Sequence, residues 1–176
     1  LSQAIVSKFK SQNISAEIIP KDVFFQKVDN ESGLANTGGL IIVAENDPQN
    51  DNVLKYAFSL SKAVGPDLLD SASKGGAMFA TITRLDGAFG FKGLGIDHPV
   101  QGGLAGLTKT AAIEWENVRC RAFDISPLWQ DHTSIANTIV SELLYADDTE
   151  SMEIGLDSDS RWIPELESMP YPQGKI

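Results

Sequence analysis

The sequence predicts a doubly wound α/β domain, a mainly parallel sheet with helices on both faces, and three observations predict it. Short, nearly continuous apolar runs in GGLIIVAEND, GGAMFATITRLDG and VRCRAFDIS read as strands buried on both sides. They alternate with stretches whose apolar residues recur at helical spacing, and that alternation builds a parallel sheet through right-handed crossovers. The chain has 176 residues, 42% hydrophobic and 22% charged, which suits one ordinary core. With no internal repeat, low-complexity tract or linker, residues 1–176 are read as a single domain.

The elements follow in order. LSQAIVSKFKSQN places Ala4, Ile5 and Phe9 at helical spacing, so the chain opens in an amphipathic helix. A helix leading into a strand implies a preceding strand that was cut away or never existed, and the chain reads as a piece excised from a longer one. ISAEIIP alternates Ile14, Ala16 and Ile18 as a strand that Pro20 ends, and KDVFFQKV is a second extended candidate. GGLIIVAEND is a buried strand opened by Gly38 and Gly39 and closed by Asn46 and Asp47. A helix from near Asp51 carries Leu54, Ala57, Phe58, Ser61 and Val64 on one face; Gly65-Pro66 interrupts or kinks it before LLDSASK finishes it. After the strand in GGAMFATITRLDG comes the glycine-rich GAFGFKGLG. Leu104, Leu107, Ala111 and Trp115 mark the next helix, VRCRAFDIS the next strand, Ile135, Ile139 and Leu143 the last helix, and SMEIGL a final short strand before RWIPELESMPYPQGKI.

Composition excludes some functions. A formal net charge of −10, from 14 Lys plus Arg against 24 Asp plus Glu, opposes binding to a phosphate backbone. No apolar run approaches the roughly 20 residues that cross a bilayer, and the N-terminus lacks a signal-peptide pattern. The single Cys120 cannot form an internal disulfide and suits a reducing cytoplasm.

In such folds ligands sit beyond the carboxyl ends of the strands, so the loops after Val43, Leu85 and Ile125 are the ones to examine. A dinucleotide site needs a glycine fingerprint between the first strand and helix, and that segment is absent. Gly87, Gly90, Gly93 and Gly95 match neither G-x-G-x-x-G before a helix nor G-x-x-x-x-G-K-[ST], so GAFGFKGLG is read as a plain loop and Lys92 within it as solvated. His98 before Pro99 and His132 in DHTS read as helix-entry residues rather than members of a Ser-His-Asp triad. Cys120 lies with Val118 and Ala122 on a strand face as a small core residue, while Arg119 and Arg121 on the other face are assigned to surface ion pairs. YADDTESMEIGLDSDSRW is rich in carboxylates, but the calcium-loop template fails at Arg161 and lacks its glycine, which leaves solvated acidic surface. Trp115 reads as core. Trp129 and Trp162, with Leu128, read as contacts to a partner domain, Trp129 foremost.

ATITRLDGAFGF, HPVQGGLAGLTKTAAIEW and VRCRAFDIS together resemble the ketoreductase region of polyketide and polyunsaturated fatty acid synthases. The resemblance runs from about Gly39 to Leu156, and TRLDGAFG is most like the polyunsaturated fatty acid and related iterative synthases. Such ketoreductases pair two short-chain-dehydrogenase-like halves: a truncated, Rossmann-like structural subdomain without cofactor, and a catalytic subdomain that holds NADPH. The GGLAGLTKT frame puts the family's tyrosine at Asp97 and its lysine at Gln101, with the serine near Thr83 or Arg84. An aspartate cannot protonate an alkoxide as a lysine-depressed tyrosine does, and a glutamine cannot lower a neighbour's pKa. Pro99 between them favours a helix start with Asp97 or His98 at its cap.

The resemblance therefore implies a non-catalytic subdomain that binds no cofactor or metal itself. It would brace the catalytic subdomain of the same cytoplasmic, multifunctional chain while that partner reduces a β-ketoacyl group on acyl carrier protein. Two alternatives stand beside it: a divergent short-chain reductase using Thr83, Asp97 or Lys109, and a stand-alone α/β ligand-binding module. An unpaired sheet edge leaves homodimer formation open.

Overall fold

Helix α1, Ser2–Ser11, forms where Ile5, Val6 and Phe9 share one side, and these three are buried. The computed structural model describes residues 1–20, 23, 37–44, 52–146 and 151–168. Strands β1 (Gly39–Val43), β2 (Ala77–Thr83), β3 (Val118–Ile125) and β4 (Glu153–Leu156) lie side by side in chain order and parallel. A short β5, Arg161–Trp162, returns antiparallel to β4. Between the strands run α2 (Val53–Lys74), α3 (Gly103–Glu114, entered through a 3-10 turn at Pro99–Gly102) and α4 (His132–Tyr145). This is the α/β class expected, a mostly parallel Rossmann-like sheet flanked by helices.

Side chains alternate across the strands and so sort the helices. On one face Ala80, Ile82, Phe123, Ile125, Ile154 and Leu156 pack with α1 and with Ile135, Ile139, Val140 and Leu143 of α4. On the other, Phe79, Val118 and Cys120 pack with Val64 and Leu68 of α2 and with Leu104 and Ala111 of α3. The strands advance in one direction, so connections of one hand would put every helix on the same face. Since α4 lies opposite α2 and α3, its connection has the reverse hand, contrary to the uniformly right-handed crossovers expected. The Glu153 and Gly155 face of β4 therefore lies away from α4, and α3 reaches it through the Lys109–Glu153 ion pair.

Several expectations change in detail. ISAEIIP forms no strand: Ile14 and Ala16 pack against the first core, but no strand among the described residues pairs with them, and Ile18 is exposed. KDVFFQKV lies outside the described residues except for Val23, and so do Asn46 and Asp47. Helix α2 runs unbroken through Pro66, and Gly65 is kept small because the Trp115 ring lies on it, with a Cβ there meeting Trp115 Cζ2 at 3.1 Å. Trp115 in turn meets Phe79 edge-on at 5.2 Å, the core role expected of it. Phe58 is 61% exposed because the buried line of α2 passes through Val53, Ala57, Ser61, Val64 and Leu68, one residue away from it. β5 escaped the sequence reading because two residues show no period. No helix among the described residues is long and apolar enough to cross a membrane.

Candidate functional site

Of the loops at the carboxyl ends of the strands, that after Val43 lies outside the described residues beyond Ala44, while those after β2 and β3 are described. The loop after β2 is organised by two buried carboxylates. Asp124, near the end of β3, accepts from the Thr83 hydroxyl at 2.8 Å and from the backbone N–H groups of Leu85, Gly87 and Phe89 at 2.7, 2.8 and 2.8 Å, with Asp86 N–H at 3.2 Å. Asp86 accepts from the N–H groups of Ala88, Gly90 and Lys92 at 2.8, 2.8 and 3.0 Å. Both carboxylates are buried, where only such complete pairing offsets the loss of hydration. Positive φ at Gly87, Phe89, Gly90 and Gly93 turns successive N–H groups inward as a nest.

The reversed hand of the last crossover explains where this loop goes. A Cβ on Gly155 of β4 would stand 2.3 Å from the carbonyl oxygen of Gly87 and 3.0 Å from Ala88 Cα. A Cβ on Gly87 would stand 2.9 Å from the Leu156 carbonyl oxygen. The loop thus crosses the end of β3 and lies backbone to backbone on the face of β4 opposite α4. GAFGFKGLG is neither a phosphate cradle nor a plain loop, since the protein's own carboxylates occupy its inward N–H groups.

Of the residues considered for a reductase site, Gln101 meets Arg84, which follows Thr83, whereas Lys109 is engaged elsewhere. Asp97 is exposed, whereas Gln101 is buried and its Oε1 accepts the Arg84 N–H at 3.3 Å. Pro99 starts the turn into α3 with His98 as its cap residue, as expected, although the His98 side chain makes no capping bond. Thr83 is bound to Asp124, and the Arg84 guanidinium donates to the carbonyls of Ser126 at 3.2 Å and Trp129. Burial pushes the Arg84 guanidinium below its ordinary value, opposed by the nearby Asp124 charge. Lys109 pairs with Glu153 at 3.0 Å across α3 and β4. Helix α3 is fixed to β2 by a buried hydroxyl pair, Thr81 and Thr108, at 2.8 Å.

Other candidates settle into the fold. His132 opens α4 beside the cap residue Asp131, whose carboxylate accepts from Thr133 and Ser134 N–H. Cys120 is a core residue, and burial, partly countered by Arg121, pushes its thiol up to about 11, far from a reactive thiolate. Arg119 and Arg121 are not simply surface residues: Arg119 donates to the Leu143 carbonyl at 3.0 Å, and Arg121 is buried and donates to the Cys120 carbonyl. The strand face they share is covered by α4 rather than water. Among the described residues no group of three or more His, Cys, Asp or Glu stands close enough to hold a metal.

Within DSDS, Asp157 is a turn residue rather than a solvated acid. It accepts from the N–H groups of Asp159 and Ser160 and from Lys92 Nζ at 2.7 Å, so Lys92 is not simply solvated either. Lys92 also stands 5.1 Å over the Trp162 ring. Donation first by Lys92 and then by the Asp159 amide holds the Asp157 carboxyl down at about 2. A shallow cleft of about 350 Å³ lies beside this clamp, lined by Leu94, Ser126, Leu128 and Trp129 among others. Trp129 is not the exposed anchor expected. The turn closed by its N–H on the Ser126 carbonyl swings the ring into the core at 9% exposure and leaves Leu128 outside at 80%.

This end of the sheet holds backbone in place and offers no assembled proton donor, nucleophile and base among the groups described. The fold and site define a Rossmann-like α/β scaffold whose loop after β2 is folded over the end of β3. No protein-family model matches the chain, and no curated protein sequence matches it.

Proposed function

We propose that this chain is the non-catalytic structural subdomain of a ketoreductase in a polyunsaturated fatty acid or polyketide synthase. It braces an NADPH-dependent catalytic subdomain that reduces a β-ketoacyl chain carried on acyl carrier protein. The observation that carries the reading is the employment of the residues at the reductase positions. Thr83 and Arg84 hold Asp124 and the loop after β3, Gln101 is buried against the Arg84 amide, and Asp97 is exposed. A scaffold that aligns with the resemblance in element order yet uses those positions for support fits a bracing role. The exposed apolar residues Leu128 and Phe91, each 80% exposed, are assigned to contact with the catalytic half in place of Trp129.

Titration calorimetry with NADPH, together with a turnover assay on a β-ketothioester, tests the proposal. Neither binding nor turnover is expected from this chain alone, and micromolar binding with turnover would sink the reading in favour of a divergent reductase. Mixing with a catalytic ketoreductase half from such a synthase should give a complex that Leu128→Asp weakens about tenfold or more. Equal affinity for wild type and variant would remove Leu128 from the interface.

A further inference from the structure

We infer that the loop after β2 is an anion cradle whose occupant is the Asp124 carboxylate, and that a free monocarboxylate takes that place when the side chain is shortened. The inference does not depend on the proposed function. The donors converge as they would on a bound ligand: Leu85, Gly87 and Phe89 N–H and the Thr83 hydroxyl all lie within 2.8 Å of one carboxylate or the other of its oxygens. The walls have supports of their own. Thr83 is fixed by the β2 to β3 register, in which it faces Asp124, and Gly87 is wedged between Ser126 and the Leu156 carbonyl. The far half of the loop is tied to the Asp86 carboxylate through Ala88, Gly90 and Lys92 N–H, bonds in which Asp124 takes no part. The Arg84 guanidinium is near enough for its charge to act on the Asp124 carboxylate.

An occupant held by geometry of this kind is replaceable by its detached equivalent, whereas a residue that merely fills space is not. Asp124→Gly removes a group the size of acetate, and Asp124→Ala one the size of formate. The ligand class is thus a small monocarboxylate, matched in length to the truncation.

Thermal unfolding of the two variants in rising acetate, formate or chloride is the test. Each variant should melt on the order of 10 °C below wild type. Acetate at about ten times its dissociation constant should recover about 4 °C for Asp124→Gly, and formate a similar amount for Asp124→Ala. Wild type should respond equally to all three salts. Recovery no greater than with chloride would overturn the inference. If neither variant folds, Asp124→Asn, which keeps the shape and loses the charge, is followed by amide hydrogen exchange. Leu85, Gly87 and Phe89 should then exchange about tenfold faster or more while Phe79 is unchanged, and unaltered exchange at the loop would overturn the cradle.

Discussion

The start of α3 and the loop after β2 stand at the same end of the sheet and reach order by different routes. Residues 97–103 are shaped by their neighbours in sequence: Pro99 sets the first turn, and Gln101 N–H donates to the His98 carbonyl. Residues 84–95 have no regular structure, and their shape comes from β3, through Asp124, and from β4, through Gly155. The first segment takes its turns from bonds between near neighbours in sequence, while the second takes its shape from residues far along the chain. Glycine serves opposite purposes at different positions: Gly87 and Gly155 permit a close backbone approach, whereas Gly106 of α3 has open space beside it. That difference can be tested with one kind of substitution.

Gly155→Ala should have the largest effect. Its new Cβ would need the space of the Gly87 carbonyl oxygen, a backbone atom that cannot turn aside, so a loss of about 3 kcal/mol is expected in urea unfolding. A loss below about 1 kcal/mol would mean that the loop moves freely off β4. Thr108→Val comes next, because it leaves the buried Thr81 hydroxyl without its 2.8 Å partner, at a cost of about 1.5 kcal/mol. Gly106→Ala reverses the sign. Gly106 lies in α3 with nothing within 4 Å of an added Cβ, so the variant should be more stable by about 0.7 kcal/mol. Destabilisation there would show that the space beside Gly106 is not open.

The same contrast governs how much could be read in the sequence. Strands β1 to β4 and helices α1 to α4 were legible because burial imposes a period on residues close in the chain. Pro99 announced its own turn. The reversed hand of the last crossover was not legible, since Ile135, Ile139 and Leu143 specify an apolar stripe without saying which face of the sheet receives it. From that choice follow the separation of α4 from the Gly155 face of β4, the need for Gly155, and the path of the loop. One signal was present: Asp124 is a carboxylate inside the otherwise apolar AFDIS, and a charge on a buried strand has to find partners. The identity of those partners, some 35 to 41 residues back in the chain, is a property of the fold. Trp129 illustrates the opposite error, a loop position that suggested exposure although the turn at Ser126 folds the ring inward.

The clamp between the loop and the β4 to β5 turn gives the smallest effect and the one with a distinctive pH signature. Asp157 has its carboxyl held at about 2, chiefly by Lys92, below the ordinary carboxylate value of about 3.9 that it regains on unfolding. A group depressed in the folded state contributes its full stabilisation above the unfolded value and loses it as pH falls through the folded one. Lys92→Met removes the leading cause of the depression. The wild-type advantage over this variant should therefore be about 0.5 kcal/mol near neutrality, in keeping with a largely solvent-screened pair, hold down to about pH 4, and fade as pH approaches about 2. Urea midpoints across that range measure it. An advantage that persists undiminished at pH 2 would mean that Lys92 stabilises the clamp through the Trp162 ring rather than through Asp157, and the loop would then be tied to β5 by an aromatic contact instead of a charge.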